Sequence, residues 1–150
     1  MLALFAAVPA ANATLPRPIS GTVFETSAFL TSIRFVDGNI IGTNNFTGVN
    51  TGDFNGTFVG TQMFIVHLNG SVEQQGSGTF TGTLFGSAVG TSHFSFRNKF
   101  STLDGIDHGR AEDNQGTGGL AGVHAEFTYT TPFIGATYDV YSGQAHFESS

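Results

Sequence analysis

Apolar residues recur at every second position of this chain, in short runs cut by glycine. The pattern is clearest from Phe54 onward. Phe54, Gly56, Phe58, Gly60, Phe64, Val66 and Leu68 fall on one face; Asn55, Thr57, Thr61, His67 and Asn69 fall on the other, with Val59, Met63 and Ile65 making that second face partly apolar. A period of two marks a pleated strand, whose successive side chains point to opposite sides. Looser versions of the same pattern predict strands over residues 19–30, 33–36, 40–46, 79–85, 89–100, 120–129 and 136–147. In the 89–100 segment, Phe94, Phe96 and Phe100 share one face against His93, Ser95, Arg97 and Lys99. Asp37-Gly38-Asn39 and Asn69-Gly70 carry the residues that tight hairpin turns demand. The polar stretches 47–53 and 101–115 read as loops.

Seven to eight strands follow from this count. Glycines recur inside them at 56, 60, 82, 90 and 122. Interior glycine weakens a strand unless the strand bends sharply or another group approaches its backbone closely. Bent strands of that number close most naturally into a small antiparallel barrel of eight strands, which also removes open sheet edges. A two-sheet sandwich is the alternative. The chain has no linker and no charge block, so one all-β domain over residues 14–150 is expected.

Composition agrees. Of 150 residues, 16 are Phe, 21 are Gly and only 11% are charged, where about 25% is usual. Thr and Phe suit half-buried pleated surfaces. The net charge of −6 argues against nucleic acid, whose phosphates call for a basic face. The chain has no cysteine, which removes disulfides and thiolate chemistry. At the amino terminus, the apolar run Met1–Val8, then Pro9, then the small-x-small site Ala11-Asn12-Ala13 resembles an export signal over residues 1–13. The expected location is therefore secreted or periplasmic, with a mature chain starting at Thr14. No apolar run is long enough to span a bilayer as a helix.

One stretch has a specific likeness. Gly116-Thr117-Gly118-Gly119-Leu120-Ala121-Gly122-Val123, continued by Ala125, Phe127, Tyr129, Pro132-Phe133 and Tyr138, resembles the late hairpin of the allene oxide cyclase-like and dirigent-like barrels. It is most similar to a bacterial group of unknown function with that barrel. The resemblance is specific over about 30 residues and elsewhere is one of strand rhythm. It implies an eight-stranded barrel, often trimeric in the plant members, and hence a homo-oligomer. Allene oxide cyclases use a first-strand glutamate, a place that Glu25 can take, and a cysteine that this chain does not have. The fold transfers more readily than the activity.

Three sets of residues carry candidate chemistry. Glu25 alternates with Val23 and Phe29; on an apolar face its pKa would rise and fit it for acid–base work, whereas a strand-end glutamate in solvent would be inert. His124, Glu126, Tyr138 and His146 could form a polar ligand-binding cluster if their faces turn into a barrel mouth; alternation places Ala125, Phe127 and Tyr129 on the more apolar face, which favours a surface position for the set. Asp104, Asp107 and Asp113 lie in an acidic segment that could offer oxygen ligands to Ca²⁺, but the spacing does not match the EF-hand loop, and a solvated loop is the simpler reading. No phosphate-binding, dinucleotide or nucleophile-elbow motif is present, and no cofactor is expected. The chain reads as an exported barrel that binds a small apolar molecule in its mouth, with an isomerase or cyclase and an extracellular assembly subunit as alternatives.

Overall fold

A computed structural model describes residues 13–149. The expected export signal therefore lies outside the described residues, apart from Ala13. Eight antiparallel strands follow one another around a single closed sheet, each paired with its sequence neighbours, and β1 closes on β8. They are β1 (Arg17–Val36), β2 (Asn39–Gly52), β3 (Phe54–Val66), β4 (Ser71–Leu84), β5 (Gly90–Ser101), β6 (His108–Gly118), β7 (Val123–Thr130) and β8 (Asp139–Phe147).

The first strand is longer than the sequence pattern suggests. The segments 19–30 and 33–36 are one strand, broken in register after Glu25 and after Leu30. At each break β1 carries one extra residue, Thr26 and Thr31. Thr26 and Ser27 both meet the Thr47 hydroxyl, and Thr31 and Ser32 both meet that of Thr43. Two residues opposing one is a β-bulge, which bends the strand and scrambles its alternation. Strand β8 covers β1 only from Arg17 to Val23, so beyond Val23 β1 is paired on its β2 side alone, and Phe29, Leu30, Ile33 and Phe35 stand exposed.

Two stretches read as loops are strand. Residues 47–52 continue β2, and 108–115 are most of β6. Their inward positions carry Gly48, Asn50, Gly109, Ala111 and Asp113 in place of bulky apolar side chains, which hides the period. The turn at Asp37-Gly38 has φ of 49° and 81°, the doubly positive geometry of a two-residue hairpin. Gly116–Gly122 ends β6, turns, and hands over to β7, so the strand expected from residue 120 begins at Val123. Gln115 has φ 53° beside the shift that sets Thr91 against Thr117 but His93 against Asn114.

The inward glycines make room for rings from neighbouring strands. A Cβ on Gly42 would run into the Phe64 ring, one on Gly48 into Phe58 and one on Gly109 into Tyr129. This is why phenylalanine and glycine are both so frequent. A ring that lies over a glycine of the next strand can be buried without pushing the backbones apart.

One end of the barrel is solid. Ile19, Phe54, Phe80, Leu84, Leu120, Val123 and Ala145 are almost fully buried there. Phe54 meets Phe80 edge-on at 5.2 Å between centroids. Each large apolar side chain buried this way stabilises by about 1.5–3 kcal/mol. The Tyr141 hydroxyl accepts from the Phe54 backbone N–H at 3.0 Å and donates to the Thr51 carbonyl at 3.2 Å. It thereby ties β8 to the turn between β2 and β3 across the barrel floor.

Candidate functional site

The other end is hollow. Above the floor made by Phe80 and Phe127, a cavity of about 440 Å³ opens toward the loops 102–107 and 131–138. Its lining is two-sided. Strands β2 to β5 contribute aromatic rings and amides, among them Phe46, Phe58, Phe94 and Phe96 with Asn50 and Asn98. Phe46 packs against Phe58 at 6.0 Å and edge-on against Phe96 at 5.6 Å. On the opposite side, β1, the end of the 102–107 loop, β6 and β8 contribute four carboxyl groups: Glu25, Asp107, Asp113 and Asp139. Among the described residues no lysine, arginine or histidine lines the cavity.

The local pairing explains this placement. Val23 sits opposite both Asn50 of β2 and Asp139 of β8, so these three residues share one level of the inner wall. Asp113 sits opposite Phe94 and Ala125, one level with the phenyl wall. Asp107 is fixed by its backbone. Its N–H donates to the Thr131 hydroxyl at 2.9 Å, that hydroxyl donates to Asp139 Oδ1 at 2.7 Å, and Asn98 Nδ2 reaches Asp107 Oδ1 at 3.4 Å. Asn98, Asp107, Thr131 and Asp139 thus form one chain of polar contacts across the mouth.

Desolvation and like charge shape the electrostatics. The Asp107 carboxyl is pushed up to about 7, first by burial, then by the Asp139 charge and a hydrogen bond shared with it, and last by Glu25. Asp113, deeper in, is also pushed up to about 7 by burial, against a smaller lowering by the Ser92 hydroxyl. Glu25 is raised by partial burial and by the Asp139 charge; it stands at the rim and keeps contact with solvent. Burial raises the Tyr129 phenol strongly, and the Asp107 and Asp139 charges add to it.

Several polar atoms here have no partner within the protein. Asn44, Asn50, Asn98 and Asp113 each leave a side-chain Oδ1 buried and without a hydrogen bond, and all four line the cavity. Asn50, Asn98 and Asp113 are only 9%, 7% and 4% exposed. A buried, unmet acceptor costs about 1–3 kcal/mol. Several around one cavity mark a surface shaped for something other than the protein itself.

The residues singled out from sequence divide between the two sides of the sheet. Glu25 and Tyr138 line the cavity, as do Asp107 and Asp113 from the acidic segment. Asp104 lies in the exposed loop, where its Oδ1 accepts from the Ile106 N–H at 3.0 Å. His124 and Glu126 project from the outer face of β7; His124 stacks on His146 at 5.5 Å, and both rings approach Glu148, at 3.4 and 3.6 Å. Among the described residues no group of three or more His, Cys, Asp or Glu side chains is arranged to hold a metal ion, and no helix is long and apolar enough to cross a membrane. Sequence reasoning passed over Asp139, Thr131, Asn50 and Asn98. A signal existed for Asn98, which occupies the inward phase of Phe94, Phe96 and Phe100.

No protein-family model matches the chain, and no curated protein is similar to it. Its fold is shared with a solved structure, a DUF3224-family protein of unknown function from Shewanella oneidensis MR-1. The two are 17% identical with a TM-score of 0.69, over 91% of this chain and 100% of the other. At that identity the likeness is one of fold, a closed β-sheet of barrel form.

Proposed function

We propose that this protein binds a small, largely apolar molecule in the open half of its barrel. The observation that carries the reading is the contrast between the two ends: one is packed solid with Phe54, Leu84, Leu120 and Val123, while the other keeps about 440 Å³ free behind a wall of phenyl rings. A fold that only needed stability would fill that space, since each unfilled methyl-sized void costs about 1 kcal/mol. The volume lies within the range of about 300–1,000 Å³ typical of small-molecule sites. A thermal-shift screen of fatty acids, terpenoids and aromatic phenols tests this, because a ligand that binds only the folded state raises its melting temperature.

A second reading is supported by the carboxyl groups. Glu25 and Asp107 face the cavity with raised pKa values, as a general acid or base of an isomerase or cyclase would. This is the allene oxide cyclase-like alternative. It requires turnover of a screening hit by the wild type and loss of that turnover in Glu25→Gln. Stabilisation without turnover, kept in Glu25→Gln, favours simple binding.

We further propose that the protein is exported, on the strength of the signal-like residues 1–13. A mature chain starting at Thr14 would retain the clasp in which Thr14 N–H donates to the Phe147 carbonyl and the Thr14 hydroxyl accepts from the Phe147 N–H, both at 2.8 Å. Amino-terminal sequencing of protein recovered from the periplasm or medium should begin at Thr14; intact Met1 on exported protein would contradict it.

A further inference from the structure

We infer that the ligand is an organic cation: an aromatic or aliphatic body carrying a protonated amine, with the amine held among the lumen carboxylates. The inference rests on the binding reading above and names the chemistry of its ligand.

Three observations converge. First, the buried side-chain atoms left without partners along the cavity are all oxygens: Oδ1 of Asn44, Asn50, Asn98 and Asp113. Oxygens of this kind ask for a donor. A ligand carboxylate or ketone would add more acceptors and leave them unmet, whereas an ammonium group brings three donors and no acceptor. Second, the charge in the lumen has one sign. The titratable groups that face it are Glu25 from β1, Asp107 from the 102–107 loop, Asp113 from β6, Tyr129 from β7, Tyr138 from the 131–138 loop and Asp139 from β8; strands β2 to β5 contribute none. In a partly desolvated space such a field favours a cation and repels an anion. Third, Phe46, Phe58, Phe94 and Phe96 stand opposite the carboxyl side. Ring faces accept the apolar body and attract positive charge.

An inorganic cation fits less well, because the carboxyl groups are spread around the wall and none of the described clusters is arranged as a metal site. Burial raises the carboxyls of Asp107 and Asp113, and like charge adds to it at Asp107. The attraction of an ammonium group for the ionised carboxylate opposes that rise, so its binding should release protons near neutral pH.

The test uses matched pairs on the protein at pH 7.5: 2-phenylethylamine against 2-phenylethanol, 4-phenylbutylamine against 4-phenylbutanol, and tryptamine against tryptophol, with 3-phenylpropionate as the anion. Dissociation constants are measured by calorimetry in two buffers of different ionisation enthalpy, which also counts protons released. The expected result is that at least one amine binds tenfold or more tightly than its alcohol, that 3-phenylpropionate does not bind, and that Asp113→Asn and Asp107→Asn shrink the amine's advantage over its alcohol. The amine's advantage should also grow between pH 6 and pH 8. Equal binding of amine and alcohol, or tighter binding of the anion, would overturn the cationic ligand while leaving the lumen as a binding site. Failure of every pair, amine and alcohol alike, would overturn both.

Discussion

Gly122 shows how much of this fold is decided by single backbone positions. Its φ is +78°, and an added Cβ would collide with the backbone carbonyl of Glu148. The Glu148 N–H in turn donates to the Gly122 carbonyl at 2.7 Å, so the turn into β7 and the end of β8 are locked at this point. Gly122→Val combines a left-handed conformation with a clash that neither partner can relieve, and should destabilise by about 1–3 kcal/mol in urea unfolding. An unchanged midpoint would show that the turn is slack. Asp113 is the second decisive residue. Its carboxyl is raised from 3.8 to about 7 in the folded state. Below about pH 4 both folded and unfolded chains hold the proton, and the group costs nothing through ionisation. As pH climbs the unfolded chain ionises first, so stability falls until the pH passes about 7 and then levels off, a total on the order of a few kcal/mol. Asp113→Asn should therefore raise the melting temperature at pH 8 and leave it near the wild-type value at pH 4. A gain of equal size at both pH values would contradict burial of the ionisable group as its cause.

At the scale of the element, segments whose inward positions carry phenyl rings were legible, and segments whose inward positions carry small or polar residues were not. Phe54 and Phe58 on β3, and Phe94, Phe96 and Phe100 on β5, announce their period because phenyl rings mark every second residue. The ends of β2 and β6 show no such mark: Gly48 makes room for the Phe58 ring, and Asn50, Ala111 and Asp113 face the cavity and need not be large or apolar. Those segments read as loops for the same reason that they line the candidate site. The bulges at Thr26 and Thr31 likewise split one strand into two, because an inserted residue flips the alternation that sequence reasoning relies on. Hydroxyl pairs such as Thr26 with Thr47 at 2.9 Å and Thr31 with Thr43 at 2.7 Å then secure the long hairpin of β1 and β2 from outside, each adding about 0.2–1 kcal/mol. The tie between β8 and the β2–β3 turn makes a further prediction. Tyr141→Phe keeps the ring but leaves the buried Phe54 N–H and Thr51 carbonyl without their shared partner, and should cost about 1–3 kcal/mol in thermal unfolding. Hydrogen exchange at the Phe54 amide should accelerate in the same variant. Exchange and melting both unchanged would mean that water replaces the hydroxyl there.

Across the whole molecule, closure of the sheet followed from strand count and glycine placement, but which half stays open depends on ring packing from strands far apart in sequence. Phe46 from β2 meets Phe94 from β5 at 6.2 Å between centroids, and no local pattern reveals that contact. Glu25 could be picked out because it alternates with Val23, although the extra residue Thr26 puts Phe29 on the other face; Asp139 and Thr131 gain their significance only where β8 closes on β1. The central claim is that the hollow half serves a ligand, and Ala111 offers direct access to it. This small side chain lies on the cavity wall between Phe96 and Phe127, its pairing partners on β5 and β7. Ala111→Leu should occupy part of the open volume with little effect on the solid end. The deciding measurement is the dissociation constant of the tightest-binding compound from the matched pairs, taken on wild type and on Ala111→Leu, with melting temperature recorded alongside. The account predicts at least a tenfold loss of affinity in a variant that melts at or above the wild-type temperature; undiminished affinity in that variant would place the binding site elsewhere and contradict the account.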